Sequence, residues 1–149
     1  MSVDVEVVQA ASGEVVQAFG RLLPQLSGSA GPLDEQALHA LVTWQGIRLL
    51  VARIDGALTL VMFPISTGLR AWIEDVVVDE TARGQGVGAA LTAEAVRLAW
   101  GDEARTVDLT SRPSRQAANR IYERLGGSSS VTRRFTGWLT VRKGTRRRP

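Results

Sequence analysis

Polar and apolar positions change period several times along the chain, and each change marks an element. Val3-Asp4-Val5-Glu6-Val7 alternates strictly, the pattern of a strand with one buried face. After Ser12, a residue type that caps helices, Val15, Phe19, Leu22 and Leu26 fall on one helical face. Pro24 is expected to end or kink that helix. Residues 27–32, rich in serine, glycine and proline, read as a loop. Asp34 then caps a second helix to about Trp44, with Leu33 and Leu38 as a hydrophobic staple. Two strand-like runs, Ile47 to Ile54 and Ala57 to Phe63, are joined by Asp55-Gly56, a hairpin signal. A third run, Arg70 to Val78, completes a meander. A helical pattern with Val87, Leu91, Ala95 and Leu98 lasts to Trp100, and Gly101 terminates it. Thr106 to Thr110 is another strand, Pro113 opens a final helix to Leu125, and Val131 to Val141 is strand-like, with Gly137 as its weak point.

Composition narrows the class. The 149 residues suffice for one domain with a real core, expected over residues 1–141, and 44% are hydrophobic against 22% charged. The absence of cysteine excludes disulfides, thiolate zinc sites and a cysteine nucleophile. One histidine, His39, argues against a histidine metal site or triad, so no metal is expected. The acidic, alternating start is unlike a signal peptide, and no apolar stretch could cross a bilayer. A cytoplasmic protein with no membrane partner is the expectation. The pI near 10.5 comes from the last eight residues. Residues 142–149 carry Arg142, Lys143, Arg146, Arg147 and Arg148 and no acid; removing these five charges from the net +3 leaves the rest near −2. This basic tail reads as a flexible, solvated end, and the body is not a nucleic-acid surface.

Candidate chemistry concentrates at Asp79-Glu80-Thr81-Ala82-Arg83-Gly84-Gln85-Gly86-Val87-Gly88-Ala89, between the third strand of the meander and the following helix. Glycines at 84, 86 and 88 let a ligand lie against the main chain, and a helix N-terminus favours an anion. Strand, bare loop and helix start together form a phosphate cradle. A Walker loop is excluded, because Gly88 is followed by Ala89-Ala90 and not by lysine and a hydroxyl residue. Gly84, Gly86 and Ala89 fit a dinucleotide fingerprint, with Asp108 where a ribose-binding acid would fall. Against that reading, Gly84 lies too far from the strand's end, and too little chain follows Asp108 for a doubly wound sheet.

The pattern Arg83-x-x-Gly86-x-Gly88 resembles the pyrophosphate-binding loop of the GNAT superfamily of acetyl-CoA-dependent N-acetyltransferases. Asn119-Arg120-Ile121-Tyr122-Glu123-Arg124-Leu125-Gly126 is similar to a second recurring GNAT segment, although Gly127 stands where an aromatic usually follows. The element order β-α-α-β-β-β-α-β-α-β extends the resemblance over nearly the whole chain. It implies an α/β GNAT fold, a mixed sheet of about six or seven strands flanked by four helices. The strands on either side of the loop helix would run parallel and splay, with acetyl-CoA entering the gap. The resemblance further implies that Val76, Val77 and Val78 line the thioester and pantetheine arm. Backbone amides of Arg83, Gly84, Gln85, Gly86, Val87, Gly88 and Ala89 would hold the pyrophosphate, and Asn119, Tyr122 and Arg124 would complete the coenzyme site, with Arg115 also near the 3′-phosphate.

Acetyl transfer to an amine needs a proton acceptor, since free amines have pKa values of about 10, and a group to protonate the departing thiolate. Glu74 and Asp75 are adjacent acids in an apolar strand. Strict alternation would place Glu74 with Trp72 and Val76, and Asp75 with Ile73 and Val77. A carboxylate among apolar neighbours has a raised pKa, as a base needs. Either acid fits the role, and a structural ion pair of Glu74 with Arg48 or Arg53 is the competing reading. By resemblance, Tyr122 is the general acid to the sulfur. The function expected is direct attack by a primary amine on bound acetyl-CoA. The alternatives are a non-catalytic acetyl-CoA-binding regulatory module and a nucleic-acid-associated protein acting through its tail. The acceptor, small molecule or peptide, stays open, as does homodimerisation through the last strands.

Overall fold

Hairpin chemistry and alternating β-branched runs give a continuous sheet, and the helices follow their apolar stripes onto its two faces. The computed structural model describes residues 2–53, 55–110, 120, 129–135 and 138–143. The elements are β1 (Val5–Val7), α1 (Gly13–Leu26), α2 (Glu35–Thr43), β2 (Ile47–Ala52), β3 (Gly56–Ile65), β4 (Gly68–Val78), a 3₁₀ turn (Glu80–Ala82), α3 (Val87–Gly101), β5 (Thr106–Thr110), β6 (Ser129–Phe135) and β7 (Trp138–Lys143). The strands form one mixed sheet in the order β1-β2-β3-β4-β5-β7-β6. Its pairs are antiparallel except β4 with β5, which are parallel. This is the expected α/β architecture. Of the fourth helix expected from Pro113 to Leu125, only Arg120 is among the described residues, and it is helical and exposed.

The two faces carry separate cores. Leu22 and Phe19 of α1 and Leu38 of α2 pack on Leu49, Val51 and Val77. On the other face, Leu91 and Ala95 of α3 pack on Leu50, Leu58, Leu60 and Ile73. Gly56 permits the close approach of α3, since a Cβ there would stand 2.8 Å from Val87 and 3.0 Å from the Val77 carbonyl oxygen. The predicted caps form: the Ser12 hydroxyl accepts from Val15 N–H and the Asp34 carboxylate from Ala37 N–H. Helix α1 runs two residues past Pro24, which sits in its last turn where little helix remains to break.

At the end of the chain, the strand-like run at 131–141, with its weak point at Gly137, is two antiparallel strands within the six or seven expected, and β7 is inserted between β5 and β6. Arg142 and Lys143 belong to β7: Arg142 pairs with Thr106 and Ser130, and Lys143 with Ser129. The sheet therefore takes the first two residues of the stretch expected as a tail. Among the described residues, no helix is long and apolar enough to cross a membrane.

Candidate functional site

The site begins where two parallel strands part. β4 and β5 pair from Arg70–Thr106 to Ile73–Leu109 and no further. β4 continues to Val78, so among the described residues its last five have no strand partner on that edge. At the same point β4 carries a β-bulge. Thr59 of β3 pairs with Glu74 and Ala57 pairs with Val77, so two steps along β3 face three along β4. Asp75 takes up the extra residue with φ +50°, a left-handed conformation that few side chains other than Asn and Asp tolerate well.

The bulge resets the alternation. Ile73 packs in the core beneath α3, Val77 packs in the core beneath α1 and α2, and Val76 and Val78 return to the α3 side. Asp75 therefore does not share one face with both Ile73 and Val77, nor Glu74 one with Trp72 and Val76. Glu74 and Asp75 are both exposed, so the expectation of a carboxylate enclosed by apolar neighbours is not met. Trp72 and Glu74, both before the bulge, do meet: the indole Nε1–H donates to Glu74 Oε1 at 2.6 Å. The competing ion pairs are absent, because Arg48 pairs with Asp102 and Arg53 with Asp4.

The cradle lies at the end of the same strand. After the 3₁₀ turn, Gly84 has φ +78° and Gly86 φ +82°, and a Cβ at either would meet nothing within 4 Å. Gly86 is the N-cap of α3 and offers no side-chain acceptor, so the first-turn N–H groups of Val87, Gly88 and Ala89 keep their donors for another partner. Left-handed glycines, open space above them and uncapped amides at a positive dipole end suit a diphosphate. Gly88 differs from the other two, since its position beside Val78, 3.5 Å away, is ordinary helix packing that would admit an alanine. The Arg83 side chain is exposed, and its Nε donates to the Val78 carbonyl at 3.4 Å. Gln85 Nε2 reaches the Thr81 carbonyl at 3.5 Å.

Asp79 fastens the base of this loop. Its side chain is 5% exposed, and Oδ1 accepts from Thr81 N at 3.0 Å and Thr81 Oγ1 at 2.8 Å. Arg21 Nε of α1 donates to Oδ2 at 2.7 Å. The Thr81 backbone N–H first, then the Arg21 guanidinium, hold the Asp79 carboxyl down to about 2 from an ordinary 3.8. On β5, Asp108 is also buried, but it is engaged by Arg70, Thr106 and Thr140 within the sheet, not placed at the loop as a ribose-binding acid would be.

The structure thus joins Glu74, Asp75, Val76, Val77 and Val78 to Arg83–Ala89 along one strand and loop. Arg115, Asn119, Tyr122 and Arg124 lie outside the described residues. Sequence reading missed the bulge, because Val76-Val77-Val78 is apolar whichever way it alternates. It also missed Arg21 and Gln25 of α1, which reach the loop from 58 and 55 residues away in sequence. Asp79-x-Thr81, a side chain capping the amide two residues on, was the one legible trace of that anchor.

The model of the acetyltransferase (GNAT) family matches residues 22–127. A candidate acetyltransferase from Agrobacterium tumefaciens str. C58 is 25% identical with a TM-score of 0.70, the match covering 87% of this chain and 96% of that one. A protein from Bacillus halodurans C-125 titled a transcriptional regulator is 27% identical, TM-score 0.66, over 89% and 100%. Glucosamine-6-phosphate N-acetyltransferase from Arabidopsis thaliana, at 16% identity and TM-score 0.68 over 91% and 98%, shares the fold. No curated protein matches the sequence.

Proposed function

This chain belongs to the GNAT acetyltransferase family, and on that premise we propose that it moves an acetyl group from acetyl-CoA to a primary amine by direct attack. The observation that carries the reading is the coincidence of three features on one strand. β4 parts from β5 after Ile73, bulges at Asp75, and ends in a loop with open left-handed glycines and uncapped amides.

Bound acetyl-CoA supplies an activated acetyl thioester. Amides from Arg83 to Ala89 hold its diphosphate, and the backbone of Val76, Val77 and Val78 runs along the arm leading from it. Glu74 stands at the mouth of the split, where its carboxylate takes the proton that the attacking amine sheds, directly or through one water. The Trp72 indole holds one of its oxygens, which fixes where the other points. As the new C–N bond forms and the C–S bond breaks, the thiolate takes a proton from Tyr122, and Asn119 and Arg124 support the coenzyme. Asp75, displaced by the bulge, adds a second negative charge that draws a cationic amine. No metal is required. The solvent-facing acids suit an acceptor that arrives as an ammonium ion.

A panel of amines assayed for free thiol release tests the proposal. Amine-dependent release with at least one acceptor class is the expected result. The acetyl-CoA-binding regulatory module is the second reading, kept because one structural relative is titled a transcriptional regulator. Coenzyme binding with no release from any amine would favour it, and no coenzyme binding would defeat both.

A further inference from the structure

The diphosphate loop is only weakly held by its own side chains. Between buried Ala82 and the start of α3, Gly84 and Gly86 carry no side chain and admit many backbone conformations, and the loop's own side-chain bonds, Arg83 Nε to the Val78 carbonyl at 3.4 Å and Gln85 Nε2 to the Thr81 carbonyl at 3.5 Å, are long. Its placement therefore depends chiefly on its two ends. One end is α3. The other is the Glu80–Ala82 turn, and α1 grips that turn with two side chains one helical turn apart. Arg21 Nε donates to Asp79 Oδ2 at 2.7 Å, and Gln25 Oε1 accepts from Glu80 N–H at 2.9 Å. The Gln25 amide nitrogen donates to the Arg21 carbonyl at 3.1 Å, which fixes which of its atoms faces the loop. Asp79 N–H, meanwhile, donates to the Asp55 carbonyl at 2.7 Å, so the turn is also tied to the β2–β3 connection.

We propose that Arg21 and Gln25 are positioning residues for the diphosphate-binding loop: they act through Asp79 and Glu80, not on the coenzyme itself. The inference rests on the acetyl-CoA reading above. A preorganised loop binds without first being ordered, and loosening one end returns that ordering cost to the binding step. The loss therefore appears in coenzyme affinity and not in the rate at saturation.

The test compares wild type with Arg21→Met, Gln25→Leu, Asp79→Asn and the double variant Arg21→Met/Asp79→Asn, by titration calorimetry with CoA and by steady-state kinetics. Each single variant is expected to weaken CoA binding and raise KM for acetyl-CoA by about tenfold, with kcat and the amine KM nearly unchanged. The double variant should lose less than the product of its singles, because both remove one contact. S-acetyl-pantetheine, which lacks the diphosphate, gives the readout that a merely weakened fold would not: its turnover should be the same in wild type and variants. Arg48→Met, which breaks an ion pair to Asp102 elsewhere, is the control and should leave CoA affinity within twofold. CoA affinity within twofold of wild type in Gln25→Leu and Arg21→Met overturns the proposal, as does an equal loss with both thioesters. If Arg21→Met does not fold, Gln25→Leu and Arg21→Lys decide alone, since neither removes a buried charge partner outright. Failure of wild type itself to bind CoA would instead sink the acetyl-CoA reading on which this one stands.

Discussion

Glu74 is exposed yet held, because one carboxylate oxygen is occupied by the Trp72 indole 2.6 Å away. Replacing it with glutamine keeps the shape and the indole contact but removes the proton acceptor. Glu74→Gln is expected to lower kcat on the order of 10²-fold, with CoA affinity intact. Unchanged turnover would return the role to Asp75 or to water. Asp79 makes a second prediction at this scale. Its carboxyl is held at about 2 against an ordinary 3.8, by the Thr81 amide first and Arg21 second. A depressed carboxylate stabilises the fold above its unfolded pKa, and that contribution fades as pH falls from about 4 towards 2. Melting temperature against pH should therefore drop less steeply across that window in Asp79→Asn than in wild type, from a lower starting point. Parallel curves would show that this carboxylate is not linked to folding. Caps such as Ser12 and Asp34 were legible in the sequence because their partners lie three residues away. Asp79 also has a local partner in Thr81, but its second partner, Arg21, lies 58 residues away on another element, and no local pattern announces it.

At the scale of elements, the decisive feature is one extra residue in β4. Period-two reading assumes an unbroken pleat; it located the strand, while helical spacing located α3 after it and the glycines the loop between them. It could not locate the bulge, because a run of three valines satisfies either phase. The bulge itself gives a prediction. Asp75 sits at φ +50°, so Asp75→Gly should be neutral or slightly stabilising, whereas Asp75→Val should cost about 1–2 kcal/mol because a β-branched side chain opposes left-handed backbone. Chemical denaturation of the two variants decides it; equal stability would mean that the strand relaxes and the bulge is not fixed. Gly56 is the neighbouring constraint. Gly56→Ala would press a methyl onto Val87, Leu91 and the Val77 carbonyl, and an overpacked contact of this kind costs about 1–3 kcal/mol. The loop that follows β4 depends on that α3 contact for one of its two anchors.

For the molecule as a whole, the sheet order places β7 beside β5, and that changes what can be removed from the chain. Composition alone set the basic stretch apart at residue 142, since five cations in eight residues look unlike a folded body. Pairing shows that charge is a poor guide to where a strand ends: Arg142 and Lys143 are exposed, yet their backbones complete ladders with Thr106, Ser130 and Ser129. Removing residues 144–149 should therefore leave the melting temperature and acetyl transfer near wild type. Removing residues 142–149 should lower stability, because β5 loses pairing at Thr106, at the end of the strand opposite its split from β4. Acetyl-CoA offers the check on both. A ligand at 100 times its Kd adds about 2.7 kcal/mol to whatever stability the fold has, which for a chain of this size raises the melting temperature by roughly 5–11 °C. The shorter truncation should show the full rise, and the longer one should show it from a lower baseline. A full-sized rise absent from the shorter truncation but present in wild type would place coenzyme contacts in the basic end, against the expectation that it is a solvated tail.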